Sequence, residues 1–464
     1  MRLMKTSVRR FPCLAHLDSF NAFMFLATSK SRIVLPLLVA VAFGGCSVNK
    51  SRSAGTSVVV LVDFSKSFAP LVGDERALAE LAAATSELAQ REWQPPVEIL
   101  WSRIQTASLI AGPLCGPFQF QQSLIKRDND DSSQIADKLQ ACTKTVVRAS
   151  TAGSERSAYT DISGAVALAA EQGQSILGPK YIVIVSDFIE DLPPGKRPIR
   201  LQLNGERILL LHRLGTEKTS LGLADHLGRI QRWSEALREA GAASVTALPL
   251  SAITQQRIVR ALGSGTKEGT DVVVLQNMPD TARPEMLKTI AATLNKAARD
   301  WQPPVTVTWA DLRDESALPL QMPPLEFTPR LVKPPDSSAQ DFPTLLNQCA
   351  EGMQRFSPGA KLGDVVGSLS FYSSAGALDA DHVVLIVSSF PNFPKGHREL
   401  PLNLKGVRVA MLPAPNRADA SDEDAYLARL AQWETWLKQQ HANVCRIPFN
   451  GVTTDSLIDC LHGS

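Results

Sequence analysis

One pentapeptide constrains this chain more than any other feature. Trp93-Gln94-Pro95-Pro96-Val97 recurs as Trp301-Gln302-Pro303-Pro304-Val305, and Trp101 has its counterpart, in the same register, in Trp309. The correspondence runs toward both ends. Val58–Leu61 matches Val272–Leu275, and Ile184-Val185-Ser186 before Phe188 matches Ile386-Val387-Ser388 before Phe390. Trp233 matches Trp433, and Pro249 matches Pro448. The offset shrinks along the chain, as small loop deletions in the second copy would make it. At 464 residues the chain exceeds what one core usually organises. Each copy, at about 200 residues, is long enough to bury a core of its own, so the reading is two tandem domains rather than a solenoid. The expected division is an N-terminal extension and signal over 1–45, a linker over 46–56, domains over 57–262 and 271–464, and a linker over 263–270. That last stretch, Gly263-Ser264-Gly265-Thr266-Lys267-Glu268-Gly269, has the wrong spacing for a phosphate loop and reads as a flexible connector.

Within each copy, short β-branched runs alternate with helical patterns. Residues 57–62 form a near-continuous apolar strand, the pattern of one buried on both faces. Glu75 to Arg91 carries Leu78, Leu81 and Leu88 at helical spacing. Further strands are expected at 97–103, 181–186, 207–212 and 244–248, and helices near 132–147, 161–173, 222–240 and 251–262. The fold class that follows is α/β: two tandem Rossmann-like three-layer sandwiches, each a mostly parallel sheet flanked by helices. Ligands of such sheets sit where the carboxyl ends of the strands meet their loops.

Near the N-terminus, Lys30 and Arg32 precede the apolar run Ile33–Phe43, then Gly44, Gly45 and Cys46. A charged stub, a short apolar core and small residues make a secretory signal, and the run is shorter than the roughly 20 residues needed to span a bilayer. Small residues before a cysteine resemble the lipobox of bacterial lipoproteins, although Phe43 departs from the usual aliphatic residue. The resemblance implies lipidation of Cys46 and a place in the cell envelope facing periplasm or exterior; secretion without an anchor is the alternative. Residues 1–23 fit no signal pattern, and Met24 would start a signal of normal proportions. An oxidising compartment lets cysteines pair. Cys445 and Cys460 are both absent from the first copy, where Thr246 and Ala261 align, and are expected to bond. Cys115 and Cys142 are the second candidate pair, leaving Cys349 as a buried thiol. With 44% hydrophobic and 20% charged residues and a net charge of +2, nothing marks the chain for nucleic acid.

The first strand ends in Asp63-Phe64-Ser65-Lys66-Ser67. Thr160 opens a later helix in Tyr159-Thr160-Asp161-Ile162, and Asp187 ends a later strand in Val185-Ser186-Asp187-Phe188. In this order, the first copy resembles von Willebrand factor A-like domains with a metal-ion-dependent adhesion site. The resemblance implies one divalent cation, Mg2+ or else Mn2+ or Ca2+, in the first domain. Ser65, Ser67 and Thr160 would bind it directly, with Asp63 and Asp187 acting largely through water. Oxygen-only ligands suit such hard cations. Asp161, Glu190 and Asp191 are expected at the rim. Taken singly, Ser65, Ser67 or Thr160 could equally be helix caps.

The second copy has Asn277, Pro279, Thr281, Gly363 and Ser389 at the corresponding places, so it is expected to keep the fold and lose the ion. The function expected on this basis is cation-dependent binding of a protein partner presenting an acidic residue, by a chain tied to a membrane through its lipid. The alternative is a metal-independent structural or scaffolding component of an envelope assembly. Among seven histidines no Ser–His–Asp, Cys–His or zinc spacing stands out. No enzyme is expected; a metal-assisted hydrolase is the weakest reading.

Overall fold

The computed structural model describes residues 54–462 apart from 69–74, 109–111, 122–128, 152–155, 214–219, 264–268, 279–282, 313–319, 322–323, 328–341, 355–363, 375–381, 392–401, 416–418, 420–421 and 449–451. Met24, Cys46 and the expected signal lie outside the described residues, as does most of the expected linker. Arg52–Ser464 forms one compact unit.

That unit contains two sheets. The first region runs β1 (Thr56–Asp63), α1 (Glu75–Arg91), β2 (Val97–Ile104), β3 (Pro113–Phe120), α2 (Asn129–Thr151), α3 (Ile162–Gln172), β4 (Lys180–Ser186), β5 (Arg207–His212), α4 (Ser220–Glu239), β6 (Ser244–Pro249) and α5 (Gln255–Leu262). Its strand order is β3-β2-β1-β4-β5-β6, parallel throughout except for β3. The second runs β7 (Thr270–Asn277), α6 (Arg283–Ala297), β8 (Val305–Asp311), β9 (Leu320–Gln321), β10 (Leu325–Phe327), α7 (Phe342–Gln354), α8 (Val365–Ser374), β11 (Val383–Ser388), β12 (Arg408–Pro413), α9 (Glu423–Gln439), β13 (Asn443–Arg446) and α10 (Thr454–His462). Its order is β10-β8-β7-β11-β12-β13, with β9 also on β8; β9 and β10 are the antiparallel members.

Helices cover both faces of each sheet, which is why the central strands are apolar at nearly every position. Val58, Val60 and Val62 point into a core shared with α1, α2 and α5, while Val59 and Leu61 point into one shared with α3 and α4. In the second region Val272 and Val274 meet α6, α7 and α10, and Val273 and Leu275 meet α8 and α9. Each such buried side chain contributes about 1.5–3 kcal/mol. The repeated pentapeptide is architectural. In each copy its tryptophan is buried (Trp93, Trp301). Its last proline carbonyl accepts the first amide of the central strand, Thr56 N to Pro96 O at 2.9 Å and Thr270 N to Pro304 O at 3.0 Å. The threonine hydroxyls bond back to Gln94 O and Gln302 O.

Two elements differ from expectation. β3 is a strand despite Pro113 and Pro117, because it lies at the sheet edge, where a missing N–H costs least. The last helix of the first region starts at Gln255 rather than 251. Thr254 caps it by accepting the Arg257 amide, and a short 3-10 turn over Leu250–Ala252 precedes it. The cysteine pairing agrees with expectation. Cys115–Cys142 ties β3 to α2, Cys445–Cys460 ties β13 to α10, and Cys349 is a buried free thiol pushed up to about 11 by that burial.

The two regions are packed against each other. Leu227 of α4 and Ala252 are buried in the second region's cluster with Leu369 and Phe371 of α8. Beside them, Asp271 on β7 accepts from Arg257 Nε (3.3 Å) and Arg260 (2.9 Å) of α5 and contacts His382 Nε2 (3.1 Å). Burial alone would raise the Asp271 carboxyl. Arg257, the His382 hydrogen bond and Arg260 outweigh it and hold the group well below the usual carboxylate range.

Candidate functional site

Because β1 and β4 are adjacent and parallel, Asp63 and Asp187 arrive together at the carboxyl ends of the central strands. Both are buried. The Asp63 carboxylate is already in use: Oδ1 accepts the Ser65 amide at 2.7 Å and Oδ2 accepts the Ser186 hydroxyl at 2.6 Å. Asp187 Oδ1 accepts the Ile189 amide at 3.0 Å, while its buried Oδ2 has no hydrogen-bond partner among the described residues. Burial and the Asp187 charge push Asp63 up to about 7, only partly offset by its hydrogen bonds from Ser186 and Ser65. Burial likewise raises Asp187, against the Ile189 amide, the Ser67 hydroxyl and the charges of Arg229 and Arg213. Near pH 7 the Asp63 carboxyl is therefore partly protonated.

The loops around these carboxyls are stitched to one another. Ser65 Oγ lies 2.9 Å from Ser67 Oγ. Lys66 N donates to Ser157 O, and Ser157 N donates to Phe64 O. Thr160 exchanges both backbone hydrogen bonds with Asp191, at 2.6 and 3.1 Å. The structure thus gathers Asp63, Ser65 and Ser67 on one loop and Asp187 beside them, and places Thr160 in a backbone bridge.

The expected cation is not supported, and neither is partner binding through it. Among the described residues there is no group of three or more His, Cys, Asp or Glu side chains that could hold a metal ion. Asp63 and Asp187 are two carboxylates where three such groups would be needed. Each Asp63 oxygen already accepts a hydrogen bond from a protein donor, while Ser65 Oγ and Ser67 Oγ lie within hydrogen-bond distance of each other. The Mg2+, Mn2+ or Ca2+ inferred from the resemblance, and the adhesion-site reading built on it, are withdrawn on this ground.

The three expected rim residues have structural partners. Asp161 is fully buried as the N-cap of α3, accepting the Gly164 amide at 2.9 Å, and pairs with Lys196 Nζ at 2.6 Å. Glu190 accepts the Ser163 amide at 2.8 Å. Negative groups at a helix N-terminus satisfy its orphan amides and its dipole. Asp191 is held through its backbone.

Sequence reasoning missed Ser186. Its hydroxyl donates to Asp63 and accepts the Phe188 amide at 2.9 Å. Phe188 has φ 60°, as Phe390 has φ 52° in the second copy, where Ser388 Oγ accepts the Phe390 amide at 3.1 Å. A bulky residue in this left-handed region costs on the order of 1–3 kcal/mol. Burial of both phenyl rings offsets it, together with hydrogen bonds to the turn carbonyls: Trp233 Nε1 to Phe188 O, and Arg429 Nε to Phe390 O. The signal was present in the repeat. A Ser-x-Phe retained in the copy that lacks the carboxylates marks a turn required by the fold.

No family model and no curated protein matches this chain. Among solved structures it is similar to proximal thread matrix protein 1 from the mussel byssus, with 7% identity over 88% of this chain and 95% of that one, at a TM-score of 0.22. A second structure of that protein gives 8%, 88%, 94% and 0.21. The human COPII-coat protein Sec24c gives 10% identity over 46% of this chain and 29% of that one, at 0.23. At these scores the likenesses carry no argument about fold or function. No helix among the described residues is long and apolar enough to cross a membrane.

Proposed function

We propose that this chain is a non-catalytic, metal-independent structural or scaffolding component of an envelope assembly. It would work outside the cytoplasm and be tethered to a membrane through lipidated Cys46. The observation that carries this reading is the internal use of the Asp63 carboxyl, which holds the Ser65 loop and the Ser186 turn together. A second support is the burial of Leu227 and the Asp271 cluster between the two regions, which makes one body of the repeats. Two disulfides fit an oxidising compartment.

The finer architecture is read as von Willebrand factor A-like in both copies. The order β3-β2-β1-β4-β5-β6, with its antiparallel edge β3, supports that reading, as does the placement of Asp63 and Asp187 at the strand ends. The partner is a protein, engaged through side-chain surfaces rather than through an ion. The test is capture from envelope extract by the immobilised chain, with 5 mM Mg2+ and with excess chelator. Equal recovery of the same partners in both arms is expected. Loss of capture in chelator, restored by Mg2+, would sink the proposal.

A further inference from the structure

A groove of about 660 Å3 lies between α4 and the segment 198–201. Its lining includes the apolar residues Phe188, Trp233 and Leu201 and the arginines Arg200, Arg229 and Arg232. Trp233 is fixed by its hydrogen bond to Phe188 O at 3.2 Å.

The second copy serves as an internal control. On α9, Arg429 and Trp433 stand where α4 has Arg229 and Trp233. Trp436, however, replaces Ala236, and Gln432 and Gln439 replace Arg232 and Glu239. Trp436 packs edge-on against Trp433, with ring centroids 5.6 Å apart, and against the core beneath. In sequence, Pro401 corresponds to Arg200. On this helix one copy has an indole packed on the core. The other has an alanine there and a charged rim.

The rim also selects for charge. Arg200 and Arg232 are exposed, and an Arg229 guanidinium nitrogen lies 3.4 Å from His226 Nδ1. Of the two lining carboxylates, Glu190 is committed to the Ser163 amide, which leaves Glu239 against the arginines. A volume of this size suits a few residues of extended peptide, and grooves of this kind take an apolar anchor flanked by charges opposite to their own. We propose that this groove binds an acidic segment of a partner protein, with one large apolar side chain on Trp233 and neighbouring carboxylates on Arg200 and Arg232. The inference supplies the scaffold with a docking point but does not rely on the strand-end carboxyls. A metal-responsive protein with a working groove would overturn the function proposed above and leave this one standing.

The test uses the mature full chain and fluorescein-labelled pentapeptides read by anisotropy. The probes are Glu-Asp-Leu-Asp-Glu, its Gly-centred version, and Lys-Lys-Leu-Lys-Lys. The acidic Leu probe should bind best. Ala236→Trp, which introduces the second copy's indole, should abolish binding, and Arg200→Glu/Arg232→Glu should weaken it by about tenfold or more, with unchanged circular dichroism. The charge reversal is on the surface, so it decides the matter even if Ala236→Trp misfolds. The proposal is overturned if no acidic probe binds at 1 mM, if the basic or Gly-centred probe binds equally, or if the charge reversal leaves affinity unchanged. Tighter binding of a labelled single-stranded oligonucleotide, or self-association of the chain abolished by the same variant, would overturn it as well.

Discussion

Replacing Asp63 by Asn should stabilise the protein at alkaline pH, although the position looks like the most functional one in the chain. Its carboxyl is buried and pushed up to about 7 from an ordinary value of 3.8. A group raised in the fold contributes stability that is fully present below its unfolded value and is lost as pH rises through its folded value. From these two values, Asp63 alone costs the native state roughly 3 kcal/mol between pH 5 and pH 8, and about 4 kcal/mol over the whole titration. Asn keeps an acceptor for the Ser65 amide and adds no charge. The second copy already carries Asn277 there, half-buried at the end of an otherwise buried strand. The assay is urea unfolding of wild type and Asp63→Asn at pH 5, 6.5 and 8, followed by tryptophan fluorescence. The variant's advantage should grow by on the order of 2–3 kcal/mol from pH 5 to pH 8. Wild-type stability that is flat over this range, or a variant less stable than wild type at pH 8, would refute the reasoning.

Other outcomes follow from the same structure. Asp271→Ala leaves Arg257 buried and Arg260 half-buried without their counter-charge, so it should cost about 3–5 kcal/mol and split calorimetric unfolding into two transitions. A single transition at the wild-type temperature would contradict a stabilising role for the Asp271 cluster between the two regions. Reducing Cys445–Cys460, which closes a loop of sequence separation 15, should cost about 3 kcal/mol, measurable as a lower unfolding midpoint in a Cys445→Ser/Cys460→Ser variant. Cys349 should resist iodoacetamide at pH 8 until the protein unfolds, because its buried thiol is held above its usual range; labelling of the native chain would show that the helix over Phe342–Gln354 opens.

Much of the fold was readable in residue patterns because burial on both sheet faces leaves an unbroken apolar run, as in Val58–Val62 and Val272–Leu275. The disulfides were readable by comparing the copies, since paired cysteines are gained together. β3 was not, because a sheet edge tolerates the prolines that argue against a strand. The strand-end site was legible as a set of residues but not as chemistry. A D-x-S-x-S run names oxygen atoms without saying which neighbours they already serve, and Ser186 and the Ser65 amide use both oxygens of Asp63. The groove escaped notice for a related reason. Ala236 against Trp436 is an unremarkable pair until the helix and the 198–201 segment are brought together in space.

Thermal unfolding of the mature protein with Mg2+ titrated to 10 mM, alongside a chelator control and Asp63→Asn, tests the central claim directly. A ligand at about 100 times its Kd would stabilise by about 2.7 kcal/mol, an increase of several degrees that calorimetry resolves easily. If the strand-end carboxyls serve only to hold loops, the midpoint stays the same in Mg2+ and in chelator for both proteins. A saturable rise in the wild type that Asp63→Asn lacks would contradict the account.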